Sequence, residues 1–202
     1  MITVNRKERD RQLRRSDIIK AAEHVFGEKG FNSATIQDIA KEAQYAAGTV
    51  YLYFKDKESL YQSLINEKIA ILVALVKEKT ARVEEAPEKF RIFVDEVLNY
   101  FDQNQDFFRI FVAESSRLQW ALETKTRNVH VENLPFLVEL IRTGQRQNFI
   151  RDDYSAAAIA DIFHSVFTTV IFDYLKQKQG AKSLKEMSGF VLGIFLDGAR
   201  KK

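Results

Sequence analysis

The sequence predicts an all-α chain, and three observations carry that expectation. Apolar residues recur at helical spacing along most of the 202 residues, and no convincing alternation of period two interrupts them. Only two prolines are present. The breaks fall at residues that start or stop helices: Thr35, the stretch Glu84, Glu85, Ala86 and Pro87, Asn104, Asn148 to Asp153, and Ser183.

Arg6, Lys7, Arg9, Arg11, Arg14 and Arg15, interrupted by Glu8 and Asp10, read as a basic arm ahead of the first helix. Such an arm either follows a nucleic-acid backbone or enters a minor groove, gaining affinity from released counterions, or it is a frayed, solvated terminus. Ile18, Ala22, Val25 and Phe26 then share one apolar helix face. Thr35 is placed to cap a short helix, with Asp38 three residues on as a weaker form of the capping box. Ile36, Ile39, Ala40 and Ala43 give that helix an apolar side, opposite Gln37, Asp38, Lys41 and Glu42. After a break near Gln44 and Tyr45, a second short segment from Ala46 to Phe54 turns Val50 and Phe54 inward. Ala47, Gly48, Thr49, Tyr51 and Tyr53 are left nearer the outside. Small residues on an exposed face admit a helix to the major groove, and hydroxyls donate to phosphates or base edges. Tyr51 and Tyr53 have a competing place, with the ring packed inward and only the hydroxyl wet. Lys55 and Lys57 follow where the next helix starts, a position that favours a phosphate.

The run GTVYLYF followed by KDKESLY, preceded by Phe26-Gly27-Glu28-Lys29-Gly30-Phe31 and then by Thr35-Ile36 and Ile39-Ala40, resembles the TetR/AcrR family of bacterial transcriptional regulators. The family's usual A-G-V-S reads here as Ala43-Gln44-Tyr45-Ala46, so the turn glycine and the capping serine are both replaced. Gln44 is therefore expected in a left-handed conformation at some cost, and Ala46 cannot cap the second short helix. The resemblance implies an N-terminal three-helix bundle with a helix-turn-helix over residues 1–55. A larger helical ligand-binding and dimerisation bundle follows over 56–202. It implies a DNA-contacting set of Thr35, Gln44, Tyr45, Ala47, Gly48, Thr49, Tyr51, Tyr53, Lys55 and Lys57. It also implies a cytoplasmic repressor that binds palindromic double-stranded operator DNA as a homodimer and is released by a small hydrophobic effector.

Beyond residue 55, helices are expected at 56–80, 88–102, 105–120, 124–148, 154–178 and 184–200. Pro87 sits in a first turn, and Ser183 with Glu186 forms a capping box. Aromatic residues crowd the middle helices, and a helical bundle rich in rings can enclose an apolar cavity. Tyr100, Phe107, Phe108, Phe111, Trp120, Phe163 and Phe167, with His130, Asn133 and His164 as orienting polar groups, are the expected effector contacts; plain core packing is the competing reading for each ring. The last two helices are apolar nearly all round, with Gly189 and Gly193 permitting close approach, and a two-fold four-helix interface would bury them.

Charge is distributed unevenly. Residues 1–57 hold eleven Lys or Arg against eight Asp or Glu, so the whole net charge of +3 lies there. The absence of cysteine excludes disulfides and thiol chemistry. Met1 to Arg15 is too polar for a signal peptide, and Ala156 to Phe172, broken by Asp161 and His164, reads as short for a bilayer span. No membrane partner and no cofactor are expected. Asp161 and His164 lie three apart, the spacing of a shared metal or proton, but a core histidine explains that pair as well; no phosphate loop, nucleophile elbow or zinc spacing occurs, and no catalysis is expected. The alternative function is a helical lipid-binding or interaction protein of the same fold that does not read DNA.

Overall fold

A computed structural model of the chain describes residues 6–104, 108, 126–176 and 183–200. It divides into two units, Met1–Lys68 and Ile69–Lys202. Among the described residues every regular element is a helix, and the only β-type pairing is an isolated bridge between Ile150 and Arg200.

The first unit holds α1 (Arg6–Ser33), α2 (Ile36–Glu42), α3 (Ala47–Tyr51) and the start of α4 (Lys57–Thr80). The basic stretch expected as an arm ahead of the first helix is instead the first turns of α1. Its Arg, Lys, Gln and Leu residues are good helix formers, and Glu8 in the first turn complements the helix dipole. At the other end, Gly30 adopts φ 73 and ψ 161, a region open essentially to glycine alone. That reversal ends the regular helix and turns Phe31 back toward Phe26 and Tyr61, whose ring centroids lie 5.5 Å and 4.9 Å from it. Ile18, Ala22, Phe26, Ile39, Val50, Phe54, Leu60 and Leu64 complete this core, all as their spacing requires.

The second unit contains α5 (Ala86–Gln103), α6 (Thr126–Arg146), α7 (Ala156–Lys176), a 3₁₀ turn at Leu184–Met187 and α8 (Ser188–Ala199). Pro87 lies in the first turn of α5, where its missing N–H costs nothing. Gly144 lets α6 meet the chain that follows: a Cβ there would come within 2.6 Å of Ile150 Cγ1. α7 packs against both α6 and α8. It joins Phe163 and Phe167 to Phe90, Phe93 and Phe195 in one ring cluster, with centroids 4.2–6.1 Å apart. By length and composition α4 and α7 are each long and apolar enough to cross a bilayer, which corrects the expectation that the second run is too short. Packing on two neighbouring helices buries part of the apolar surface of α7, and Ile162 stays exposed.

The last helix also differs in its start. Ser183 does accept from a backbone N–H, that of Lys185 at 3.3 Å, but its hydroxyl donates to Asp102 at 2.8 Å. Asp102 additionally accepts from Tyr174 and from the Leu184 N–H, so the chain enters tightly, through a 3₁₀ turn, before α8 begins. The helix expected at 105–120 lies outside the described residues apart from Phe108.

Candidate nucleic-acid interface

The α2–α3 segment is built from short-range hydrogen bonds. Thr35 and Asp38 form a full capping box: the Asp38 N–H donates to Thr35 Oγ1 at 3.1 Å and the Thr35 N–H donates to Asp38 Oδ2 at 3.1 Å. The Thr35 hydroxyl proton goes to the same carboxylate, 2.8 Å away, and Lys29 adds an ammonium at 2.7 Å. These donors hold the Asp38 carboxyl down at about 2, Lys29 being the largest cause. Thr35 is thus exposed but committed to the cap.

Gln44 adopts φ 59, the left-handed conformation expected when glycine is replaced. Two backbone bonds enforce it. The Gln44 N–H donates to Lys41 O at 3.1 Å and the Tyr45 N–H to Ala40 O at 2.8 Å, the paired closure that ends helices at a left-handed residue. Ala46 makes no side-chain cap. What steadies the turn in its place is Tyr45, whose hydroxyl donates to Asp17 on α1 at 3.1 Å. Partial burial, then the Asp17 bond, raises the Tyr45 pKa. Its phenol is an anchor to α1 in this structure, not a spare donor for DNA.

Past this turn, α3 buries Val50, exposes Gly48 and leaves Ala47 and Thr49 half-buried. A Cβ at Gly48 would meet nothing within 4 Å, so packing within the chain does not demand its smallness. Tyr51 is 52% exposed, which answers the inward alternative for that ring, while Tyr53 is half-buried. Leu52 between them is 78% exposed, a large apolar residue that the spacing argument passed over. Apolar side chains at such a position suit the methyl group of thymine.

The start of α4 requires a correction. Lys57 was expected to meet a phosphate; its ammonium instead donates to the carbonyls of Phe31, Ala34 and Asn32 at 2.7, 2.9 and 3.2 Å, and lies 4.6 Å from the Phe31 ring centroid. An ammonium has three N–H groups, and all three are spent on the end of α1. Asp56 and Ser59 occupy the helix start reciprocally: the Ser59 N–H donates to Asp56 Oδ1 at 2.7 Å and the Asp56 N–H to Ser59 Oγ at 3.1 Å. A carboxylate therefore stands where an anion was expected. Lys55, exposed, stays available.

The expected effector residues separate into two groups. Phe163 and Phe167 sit in the ring cluster of α5, α7 and α8, whereas Tyr100 and Phe108 pack with Phe101, the last two rings 4.0 Å apart. All four are buried. His164 is half-buried with Nδ1 3.5 Å from Thr168 Oγ1, and Asp161 is exposed. Phe107, Phe111 and Trp120, and the side chains of His130 and Asn133, lie outside the described residues. Phe90 and Phe195, not among the expected effector residues, are buried in the first cluster.

Residues 18–64 match the family model described as bacterial regulatory proteins, tetR family. Over 185 residues the chain is 23% identical to the fatty acid metabolism regulator protein of Bacillus subtilis, covering 92% of this chain and 95% of that one. The fatty acid degradation regulator FadR from Bacillus halodurans shares the fold with a TM-score of 0.80 at 24% identity, over 94% of this chain and 97% of that one. The transcriptional regulator FadR from Bacillus subtilis, solved in complex with stearoyl-CoA, aligns with a TM-score of 0.78 at 23% identity, over 91% and 98% of the two chains.

Proposed function

We propose that this chain, whose residues 18–64 match the tetR family model, is a DNA-binding transcriptional regulator, a cytoplasmic homodimeric repressor whose effector is a fatty acyl thioester of coenzyme A. One observation carries the DNA reading: the outward face of α3, where Gly48 faces open space beside Ala47, Thr49 and the exposed Tyr51. Those residues leave room for a backbone and bases to come close, and the turn before them is held rigid. Thr49, Tyr51 and Tyr53 with Gln44 and Lys55 would make the contacts; Thr35 and Tyr45 would support them.

The dimer is proposed through α7 and α8. Ile162, Phe190 and Ile194 are more than half exposed on these helices, and Cβ atoms at Gly189 and Gly193 would meet no other part of the described chain within 4 Å. An apolar face with open room at its glycines suits a two-fold partner. Two recognition helices must then stand about 34 Å apart to read a palindrome. The acyl-CoA assignment is supported by the fold shared with the stearoyl-CoA complex and by the ring-lined interior of the second unit. By linkage, an acyl-CoA that prefers the spacing unsuited to DNA weakens operator binding by its differential affinity.

The test is a titration of the purified protein against duplexes from upstream of its own gene, with a scrambled competitor, repeated with saturated acyl-CoAs of graded chain length and with free coenzyme A. Specific binding with a palindromic footprint, released by acyl-CoA and not by coenzyme A, is expected. Binding that is weak and sequence-independent would sink the repressor reading in favour of a lipid-binding protein of this fold. Specific binding indifferent to every acyl-CoA would sink the effector assignment alone.

A further inference from the structure

The inner stripe of α1 changes character at Ile18. Residues three, four and seven apart share a helix face, so Lys7, Arg11 and Arg14 continue toward the N-terminus the row that Ile18, Ala22 and Val25 bury. From Ile18 onward the row is core; before it, Lys7, Arg11 and Arg14 are exposed. Among the described residues neither Arg11 nor Arg14 forms an ion pair. Of the nearby acids, Glu8 accepts from Gln12 at 3.3 Å and Asp17 from Tyr45, while Asp10, four residues before Arg14, is exposed and forms no ion pair among the described residues. The face that holds α1 to its own unit is thus extended by a cationic row in which Arg11 and Arg14 form no ion pair among the described residues.

Where that row lies identifies its partner. Asp17 is bonded to Tyr45, the residue that leads into α3, and the charge of Arg14 acts on the Tyr45 hydroxyl. Arg14, three residues before Asp17, therefore adjoins the proposed recognition face, and the row runs from it toward the N-terminus. We infer that the first turns of α1 form a rigid cationic rail along the phosphate backbone beside the half-site, with Arg11 and Arg14 each meeting a phosphate; this rests on the DNA reading above. Because the stretch is helical, the minor groove is excluded as its seat: a helix with side chains is about 10–12 Å across and that groove about 6 Å wide. A helical rail loses little chain entropy on binding, unlike a frayed arm. Its contribution is indifferent to sequence.

Two double variants test this in the full chain. Arg11→Gln with Arg14→Gln neutralises the inner row; Arg9→Gln with Lys20→Gln, eleven residues apart and both exposed, removes the same charge from the opposite side of the helix. Affinity for the upstream duplex and for a scrambled duplex of equal length is measured across salt concentrations. The inner pair is expected to lower the slope of log K against log salt by about 1.8, at about 0.9 per phosphate, with equal loss on both duplexes. The outer pair keeps the wild-type slope. If both pairs lower the slope alike, or the inner pair leaves it unchanged, the rail is refuted. Should the inner double variant fail to show the wild-type melting temperature, single Arg11→Gln replaces it, with an expected slope change of about 0.9. Failure of the wild-type protein to bind either duplex would instead overturn the DNA reading itself.

Discussion

The turn between α2 and α3 and the interior formed by α5, α7 and α8 are held together by opposite means. In the first, nearly every device is a directed polar contact: the Thr35 and Asp38 box, the two backbone bonds at Gln44, Tyr45 on Asp17, and Lys57 on three carbonyls. In the second, rings dominate, and Phe163 touches Phe90, Phe93, Phe167 and Phe195. Directed contacts define one geometry, which a surface that reads bases requires. Packed rings tolerate repacking at nearly constant volume, a property on which the proposed acyl site would draw. The molecule places precision and adaptability in different units.

Truncating the packed side should have the largest effect. Phe163→Ala removes a fully buried ring and is expected to cost about 3–5 kcal/mol, read as a fall in melting temperature without change in the DNA preference of the surviving folded protein. An unchanged melting temperature would mean that Phe163 lines a space, not a core. On the directed side, Lys57→Ala should cost about 2 kcal/mol, because three carbonyls lose a charged donor. Lys55→Ala should leave stability alone and weaken DNA binding. The reverse outcome for the two lysines would restore Lys57 as a phosphate ligand. The smallest effect expected is a gain: Gln44→Gly relieves the left-handed strain at φ 59 and should stabilise the chain by about 0.5–1 kcal/mol. A loss of stability there would show that the Gln44 side chain makes up for its backbone.

What was legible in the sequence follows the same division. The Thr35 and Asp38 box, the left-handed Gln44 and the uncapped Ala46 could all be read because their causes lie within a few residues of one another. The role of Lys57 could not, since its partners are carbonyls 23 to 26 residues away, and carbonyls carry no residue signature. Ser183 misled for a related reason: its hydroxyl found Asp102, 81 residues distant, while the nearby Glu186 had suggested a local box. Helical spacing correctly buried Ile18, Phe26, Val50, Phe54, Leu60 and Leu64. For the rings of the second unit, the sequence showed their abundance but carried no information about whether a ligand shares the interior.

The Lys57 contact also bears on motion. By tying residue 57 to residues 31, 32 and 34, it closes a loop of chain that contains all of α2, the turn and α3. Neither short helix is long enough to persist alone. With the loop latched, opening of either must release the ammonium or strain its three bonds, so amide protons across the segment should exchange as one cooperative block. Arginine would not serve as the latch, for its planar fork cannot direct three donors to carbonyls clustered around one point. A single aliphatic chain ending in one small cation thus determines whether the reading head breathes residue by residue or as a whole.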